Sequence, residues 1–376
     1  MGVKPKLIVI VGPTASGKTA LGIALAKRFS AGGGSAFGGN GAEIISADSR
    51  QIYRGMDIGT AKPIRDRAVP IVILSEAKNP SDPSPRLRAG GAQDDKGKAR
   101  AGRLSIHDLF RPKPYMVDGV PHWGIDVADP DEDFNVSQFK AYAEARIAEI
   151  VKRGHLPIVV GGTGLWVDAL VDNLSIPEVP PDPAIRAELE PRSLDDLFAE
   201  YKRLDPLGAE QIDRHNKRRL VRALEVCRVT GKPFSAMQVK GELKYDVLKI
   251  GLDVERDELN RRIDDRVDEM IAKGLVNEVR GLMPASSPPA KGESEGVPTL
   301  GALPVAMTGI GYRQIAFFLN GKANLAAAIE DIKRDTRAYA KRQLTWFKRD
   351  ARIHWVKAPS EAETLVDIFL HPQTSH

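Results

Sequence analysis

A chain of 376 residues, 42% hydrophobic and 28% charged, is long enough to bury a substantial core and to divide into two or three structural units. Its single cysteine, Cys227, excludes an intrachain disulfide and a thiolate metal cluster and reads as a small buried residue, while the histidines stand singly without zinc-ligand spacing. The net charge of +5 permits a polyanionic partner, and the apolar run Leu7 to Val11 is too short for a signal segment or a membrane span, so a cytoplasmic protein with no membrane partner is expected.

In chain order, Lys6 to Val11 (KLIVIV) has the β-branched content of a buried strand, and Lys18 to Phe29 has helical spacing with Leu21, Leu25 and Phe29 on one face. Glu43 to Ser46 reads as a second strand, Asn135 to Arg153 as an amphipathic helix, and Leu156 to Val160 as a third strand. Strands alternating with helices predict an α/β fold, a parallel sheet flanked by helices with its ligand beyond the carboxyl ends of the strands. Asp182 to Leu243 is charged and helical, and Tyr245 to Val254 returns to strand character. The expected organisation is therefore a core begun by residues 1–181, an inserted helical domain over 182–244, and a return to the core with C-terminal helices over 245–376.

Three stretches break the pattern. Residues 30–42 are glycine-rich, 284–298 carry Pro, Ser and Gly, and 64–116 lack a hydrophobic period, so each reads as an insertion or surface loop.

Chemistry enters at Val11 to Thr19, VGPTASGKT. Gly12, Pro13, Thr14, Ala15, Ser16, Gly17, Lys18 and Thr19 satisfy G-x-x-x-x-G-K-[ST] between a strand and a helix. The glycines let backbone amides wrap a diphosphate or polyphosphate, Lys18 adds charge, and the Thr19 hydroxyl suits Mg2+. A nucleotide hydrolase of this type carries a second apolar strand ending in Asp. Here LPIVV ends in Gly161, Gly162 and Thr163, and the strand that ends in a carboxylate is EIISAD, whose Asp48 precedes Ser49, Arg50 and Gln51. That placement suits a general base toward an incoming nucleophile, with a turn or cap aspartate as the structural alternative.

Basic charge concentrates in two places. Lys217, Arg218, Arg219 and Arg222 head an apolar helix, and Lys333 to Arg349 interleaves Tyr339, Trp346 and Phe347 with Lys and Arg. Such residues can follow a nucleic-acid backbone, or can be a solvated face beside an aromatic core stripe. Arg222, with a planar fork matched to phosphate oxygens, is a further candidate for the diphosphate.

The blocks GPTASGKT, DSRQIYRGMDIGTAKP, GVPHWGIDVADP, VVGGTGLW, RRLVRALEV, TGIGYRQ and RAYAKRQLTWF resemble, in order, those of the tRNA dimethylallyltransferases, also called tRNA isopentenyltransferases. The resemblance implies a P-loop NTPase-like fold and transfer of a dimethylallyl group, with Mg2+ as cofactor, from dimethylallyl diphosphate to the N6 amine of the adenosine 3′ of a tRNA anticodon. It implies Asp48 as base, Gly12 to Thr19 as diphosphate loop with Lys18 catalytic and Thr19 on the metal, and Thr163 near the reacting centre. Its RNA-contacting stretches match Asp48, Ser49, Arg50 and Gln51, then Arg186, then Arg218, Arg219, Leu220, Val221 and Arg222, then Thr308, Gly309, Ile310, Gly311, Tyr312 and Arg313. The anticodon stem-loop of tRNA is the implied partner, and the protein is expected to act as a monomer. A prenyltransferase acting on a free adenine nucleotide and a non-catalytic RNA-binding switch are the alternatives; acceptor choice and ATP hydrolysis separate them.

Overall fold

The computed structural model describes residues 3–31, 41–66, 113–177, 179–237, 239–283 and 303–372. The chain opens with β1 (Lys6–Val11), α1 (Lys18–Ala31) and β2 (Ala42–Ser46), followed by a hairpin of β3 (Tyr115–Val117) and β4 (Val120–Trp123). Then come α2 (Val136–Lys152), β5 (Leu156–Gly161) and α3 (Gly164–Val171). A run of helices follows: α4 (Pro183–Leu189), α5 (Leu194–Leu204), α6 (Pro206–Gln211), α7 (Lys217–Thr230) and the single turn α8 (Phe234–Met237). The chain closes with β6 (Asp246–Leu252), α9 (Arg256–Ala272), α10 (Leu275–Leu282), a 3-10 turn at Val305–Thr308, α11 (Tyr312–Leu319), α12 (Leu325–Phe347), β7 (Ile353–Val356) and α13 (Pro359–Leu370).

One seven-stranded sheet runs in the order β3-β4-β2-β5-β1-β6-β7. Every pairing is parallel except β3 with β4. The expected parallel sheet thus carries one antiparallel strand at its edge. Asp118 and Gly119 both adopt positive φ, 50° and 77°, the conformation of a two-residue type I′ turn, which reverses the chain at once. It also shortens the long insertion. Tyr115 and Met116 belong to β3, and the Asp66 carboxylate accepts the amides of Asp118 and Gly119 at 2.7 and 2.8 Å. The middle of that segment, with most of the other two breaker-rich stretches, lies outside the described residues.

The central strands are buried on both faces, as β-branched parallel strands require. Ile45, Val159, Phe139 and Trp166 belong to one core, which includes residues of α2, α3 and α12. Ile8, Ile10, Ile44 and Val160 pack with α1 and α13 on the other. The α4–α8 region has a core of its own built on Leu189, Leu197, Tyr201, Leu220 and Leu224, and includes the buried Cys227 of α7. Helix α2 starts on a reciprocal cap in which Asn135 and Gln138 satisfy each other's backbone amides.

Candidate active site

The functional groups meet where β1, β2 and β5 end. Ala15 and Gly17 take positive φ, 62° and 93°, curling the phosphate loop over the first turn of α1. Its side chains open on a cavity of about 380 Å³. Thr14, Ala15, Gly17, Lys18 and Thr19 form one wall, Asp48 and Gln51 another, and Arg262 and Arg266 reach in from α9. Ile44, Ser46, Thr60, His122, Ile125 and Val160 are also among its lining residues.

Lys18 Nζ donates to Pro13 O at 3.1 Å, and Arg266 Nη1 donates to Thr14 Oγ1 at 3.3 Å. Neither forms an ion pair among the described residues. Burial drives the Lys18 ammonium down to about 8, against the raising pull of Asp48 and with the help of Arg266. Burial likewise lowers Arg266, against Asp48 and Glu269. Two half-buried cations beside the phosphate loop and the start of α1 make a site suited to an anion.

Asp48 leaves the end of β2 with Oδ1 accepting the Arg50 amide at 2.9 Å. Its neighbour Ser49 donates its amide to Thr163 Oγ1 at 3.1 Å, which joins the loop after β2 to the loop after β5. Tyr339 of α12 lies near Thr163, and burial, reinforced by the Asp48 charge and opposed by Arg50, pushes its phenol up to about 12. Gln51 accepts from Ser46 Oγ at 3.1 Å and donates to Thr60 O and Ala61 O at 3.3 and 3.4 Å, so its amide holds the wall of the cavity. The same loop is fixed from outside. Glu278 accepts the amides of Asp57, Ile58 and Gly59 and the hydroxyl of Tyr312, and Lys62 is sunk between Asp57 and Asp126.

Around the mouth, Arg50 donates to Val305 O and Ala306 O at 3.0 and 3.1 Å and lies close to Gly309. Burial lowers its guanidinium, Tyr53 and Asp48 pull it back up, and the Arg218 charge presses it further down, so the start of α7 faces the same mouth. Arg50 thus lies against the 305–309 segment, within reach of the exposed Arg218 charge.

Several candidates are placed differently. Arg222 is not a wall of the cavity: it donates to Glu225 at 2.6 Å and to Val179 O at 2.7 Å. Glu225 is fully buried, and a buried carboxylate demands paired cations, so Arg222 and Arg186 are both committed to it. Arg262 and Arg266 take the place given to Arg222 beside the phosphate loop. Leu220, Val221 and Tyr312 are buried, at 0%, 3% and 1% exposure, because they sit on the apolar faces of their helices; their side chains serve cores, not an RNA surface. Sequence reasoning missed Arg262, Arg266, Glu278 and Gln343. The first two stand four apart on one helical face, a signal hidden by the acidic residues between them.

Among the described residues no group of three or more His, Cys, Asp or Glu could hold a metal. A cation coordinated mainly by substrate phosphates and water needs only one or two protein ligands, which fits Mg2+ at Thr19. No described helix is long and apolar enough to cross a membrane.

A family model described as IPP transferase matches residues 111–350. The chain is 37% identical to the tRNA dimethylallyltransferase of Pelotomaculum thermopropionicum over 365 residues, 96% of this chain and 93% of that protein. It is 38% identical to that of Geobacillus thermodenitrificans over 356 residues, 93% and 90% of the two. The crystal structure of the full-length tRNA isopentenylpyrophosphate transferase of Bacillus halodurans superposes with a TM-score of 0.58 at 32% identity, covering 98% of each chain. With a family match over more than half its length and such identities over nearly all of it, this chain belongs to the IPP transferase family.

Proposed function

We propose that the protein is a tRNA dimethylallyltransferase, moving the dimethylallyl group of dimethylallyl diphosphate onto the N6 amine of the adenosine 3′ of a tRNA anticodon. The observation that carries this reading is a single cavity lined by Lys18 and Arg266 at one wall and Asp48 at another. The diphosphate sits against the loop amides, Lys18 and Arg266, which meet the charge that grows as the carbon–oxygen bond breaks. A bound diphosphate also restores the Lys18 proton that burial disfavours. The Thr19 hydroxyl would hold Mg2+, which when bound would supply further positive charge for the leaving group.

The adenine amine is a weak nucleophile because its lone pair is delocalised into the ring. Asp48 accepts its proton as the carbon–nitrogen bond forms. Thr163, tied to Ser49, keeps the two loops in register at that point. The target nucleotide leaves its stack at a cost of roughly a few kcal/mol. The Arg50 mouth, with Ser49, Arg218, Arg219 and the Thr308, Gly309 and Ile310 stretch, receives the anticodon stem-loop, while Arg186 and Arg222, held by Glu225, brace the helical unit. The protein works as a cytoplasmic monomer.

The test is incubation with Mg2+, dimethylallyl diphosphate and unmodified tRNA, followed by mass spectrometry of the nucleosides. Isopentenyl adenosine is the expected product. Prenylation of AMP in preference to tRNA would instead favour the free-nucleotide reading, which leaves the cations around Arg50 without a task. ATP hydrolysis without prenyl transfer would favour the switch.

A further inference from the structure

Glu278 of α10 is not among the residues that line the cavity, yet its carboxylate holds a loop that is part of the wall. Oε2 accepts the amides of Asp57 and Ile58 at 3.0 and 2.7 Å, and Oε1 accepts the Gly59 amide at 3.0 Å and the Tyr312 hydroxyl at 2.6 Å. These three amides open a single turn, closed by Ala61 N on Ile58 O and Lys62 N on Asp57 O. The turn itself offers them no carbonyl, and one distant carboxylate meets all three with its charge at the positive end.

The other end of the turn belongs to the cavity. Thr60, Ala61 and Pro63 line it together with Asp48 and Gln51. Thr60 O and Ala61 O can only accept, so they fix Gln51 Nε2 beside them and leave Gln51 Oε1 to the Ser46 hydroxyl. The orientation of that amide therefore depends on the turn; released, it would present the cavity with a donor or an acceptor indifferently. On the RNA side, the Tyr312 ring lies flush on Gly59, where a Cβ would stand 2.5 Å from it. Burial, reinforced by Glu278, pushes the Tyr312 phenol up and keeps its hydrogen in place. The Thr308–Gly311 stretch that leads into Tyr312 and the cavity wall are thus fastened to one carboxylate.

We infer that Glu278 is a positioning residue for the transfer step: it sets the 57–62 turn, the turn sets the Gln51 amide, and the amide shapes the place where the adenine amine meets Asp48. This rests on the prenyl-transfer reading of the same site. Glu278 itself touches no substrate and moves no proton.

The experiment measures prenyl transfer to unmodified tRNA, with Mg2+ and dimethylallyl diphosphate, for the full chain and its variants, beside tRNA affinity without donor. Glu278→Ala should lower kcat about 10- to 100-fold. Its tRNA affinity should stay within about threefold of the wild-type value, because Arg50 still holds Val305 and Ala306. Glu278→Gln, which keeps one oxygen for the amides, should lose less than the alanine variant. If Glu278 acts through Gln51, the Gln51→Ala/Glu278→Ala double variant should lie within about threefold of Gln51→Ala alone. A role in folding alone predicts that the two losses multiply. That result, or tRNA affinity falling in step with kcat, would overturn the inference. Should Glu278→Ala not fold, the same cycle is run with Glu278→Gln, and multiplied losses there overturn it equally. A wild-type protein that transfers no prenyl group would strike the prenyl-transfer reading itself, whereas prenyl transfer with multiplied losses strikes only this inference.

Discussion

Gln343 accepts the amide hydrogen of Thr14 at 2.8 Å while its Nε2 donates to Gly162 O at 2.8 Å, so one buried side chain of α12 ties the phosphate loop to the strand end that carries Thr163. A Cβ at Gly162 would stand 2.2 Å from that Nε2. Gly162→Ala should therefore expel the Gln343 amide and free the loop, lowering kcat/KM for the prenyl donor about tenfold, as should Gln343→Ala. Both act on one contact, so the double variant should be little worse than either alone. Additive losses in that cycle would show that the bridge does not position the loop.

Asp48→Ala should lower turnover on the order of 10² to 10⁴-fold, because the adenine amine loses its proton acceptor. Binding of tRNA, followed by filter retention or fluorescence, should persist. Near-normal turnover would remove Asp48 from the mechanism.

Burial favours the neutral amine of Lys18, so its lowered value of about 8 means that the charge is lost on the alkaline side. For the free protein, kcat/KM for the diphosphate donor should fall as pH rises through about 8. The limb should move up in kcat, where bound diphosphate holds the proton. An alkaline limb at the same pH in both parameters would contradict this.

Arg266→Leu removes a cation that reaches Thr14 from α9 and has no ion-pair partner among the described residues. A charge-assisted contact to the leaving group is worth about 1.5–3 kcal/mol, so donor kcat/KM should fall roughly 10- to 100-fold. Affinity for tRNA, measured without donor, serves as the comparison. A larger loss in tRNA affinity than in donor use would move Arg266 to the RNA side of the site.

Arg218 and Arg219 are exposed at the start of α7, and the Arg218 charge is felt at Arg50. Affinity for tRNA should fall steeply with salt on a log–log plot, and Arg218→Ala/Arg219→Ala should reduce the slope by about one to two. A flat salt response in the unsubstituted protein would exclude phosphate contacts as the main source of affinity.

The elements that local sequence controls were legible in it. Lys6–Val11 forms β1 with the bounds its β-branched run suggests, and the glycine loop that follows is set by nearest neighbours alone. The β3–β4 hairpin was missed, although its Asp118-Gly119 pair between valines is a strong turn signal. Strand β7, with only four residues, carries too little pattern to stand out before it pairs with β6.

By itself the sequence determined the anion nest and the carboxylate after β2, because strand, turn and helix are contiguous and their backbone geometry follows from residue type. Tertiary structure decided which cations reach that nest. Arg266 and Gln343 meet Thr14 across 252 and 329 residues, a proximity created by helix packing over the sheet that no local spacing encodes. Burial made the other decision: Glu225, enclosed in the helical unit, draws Arg186 and Arg222 to itself, because a carboxylate away from water must be neutralised where it lies.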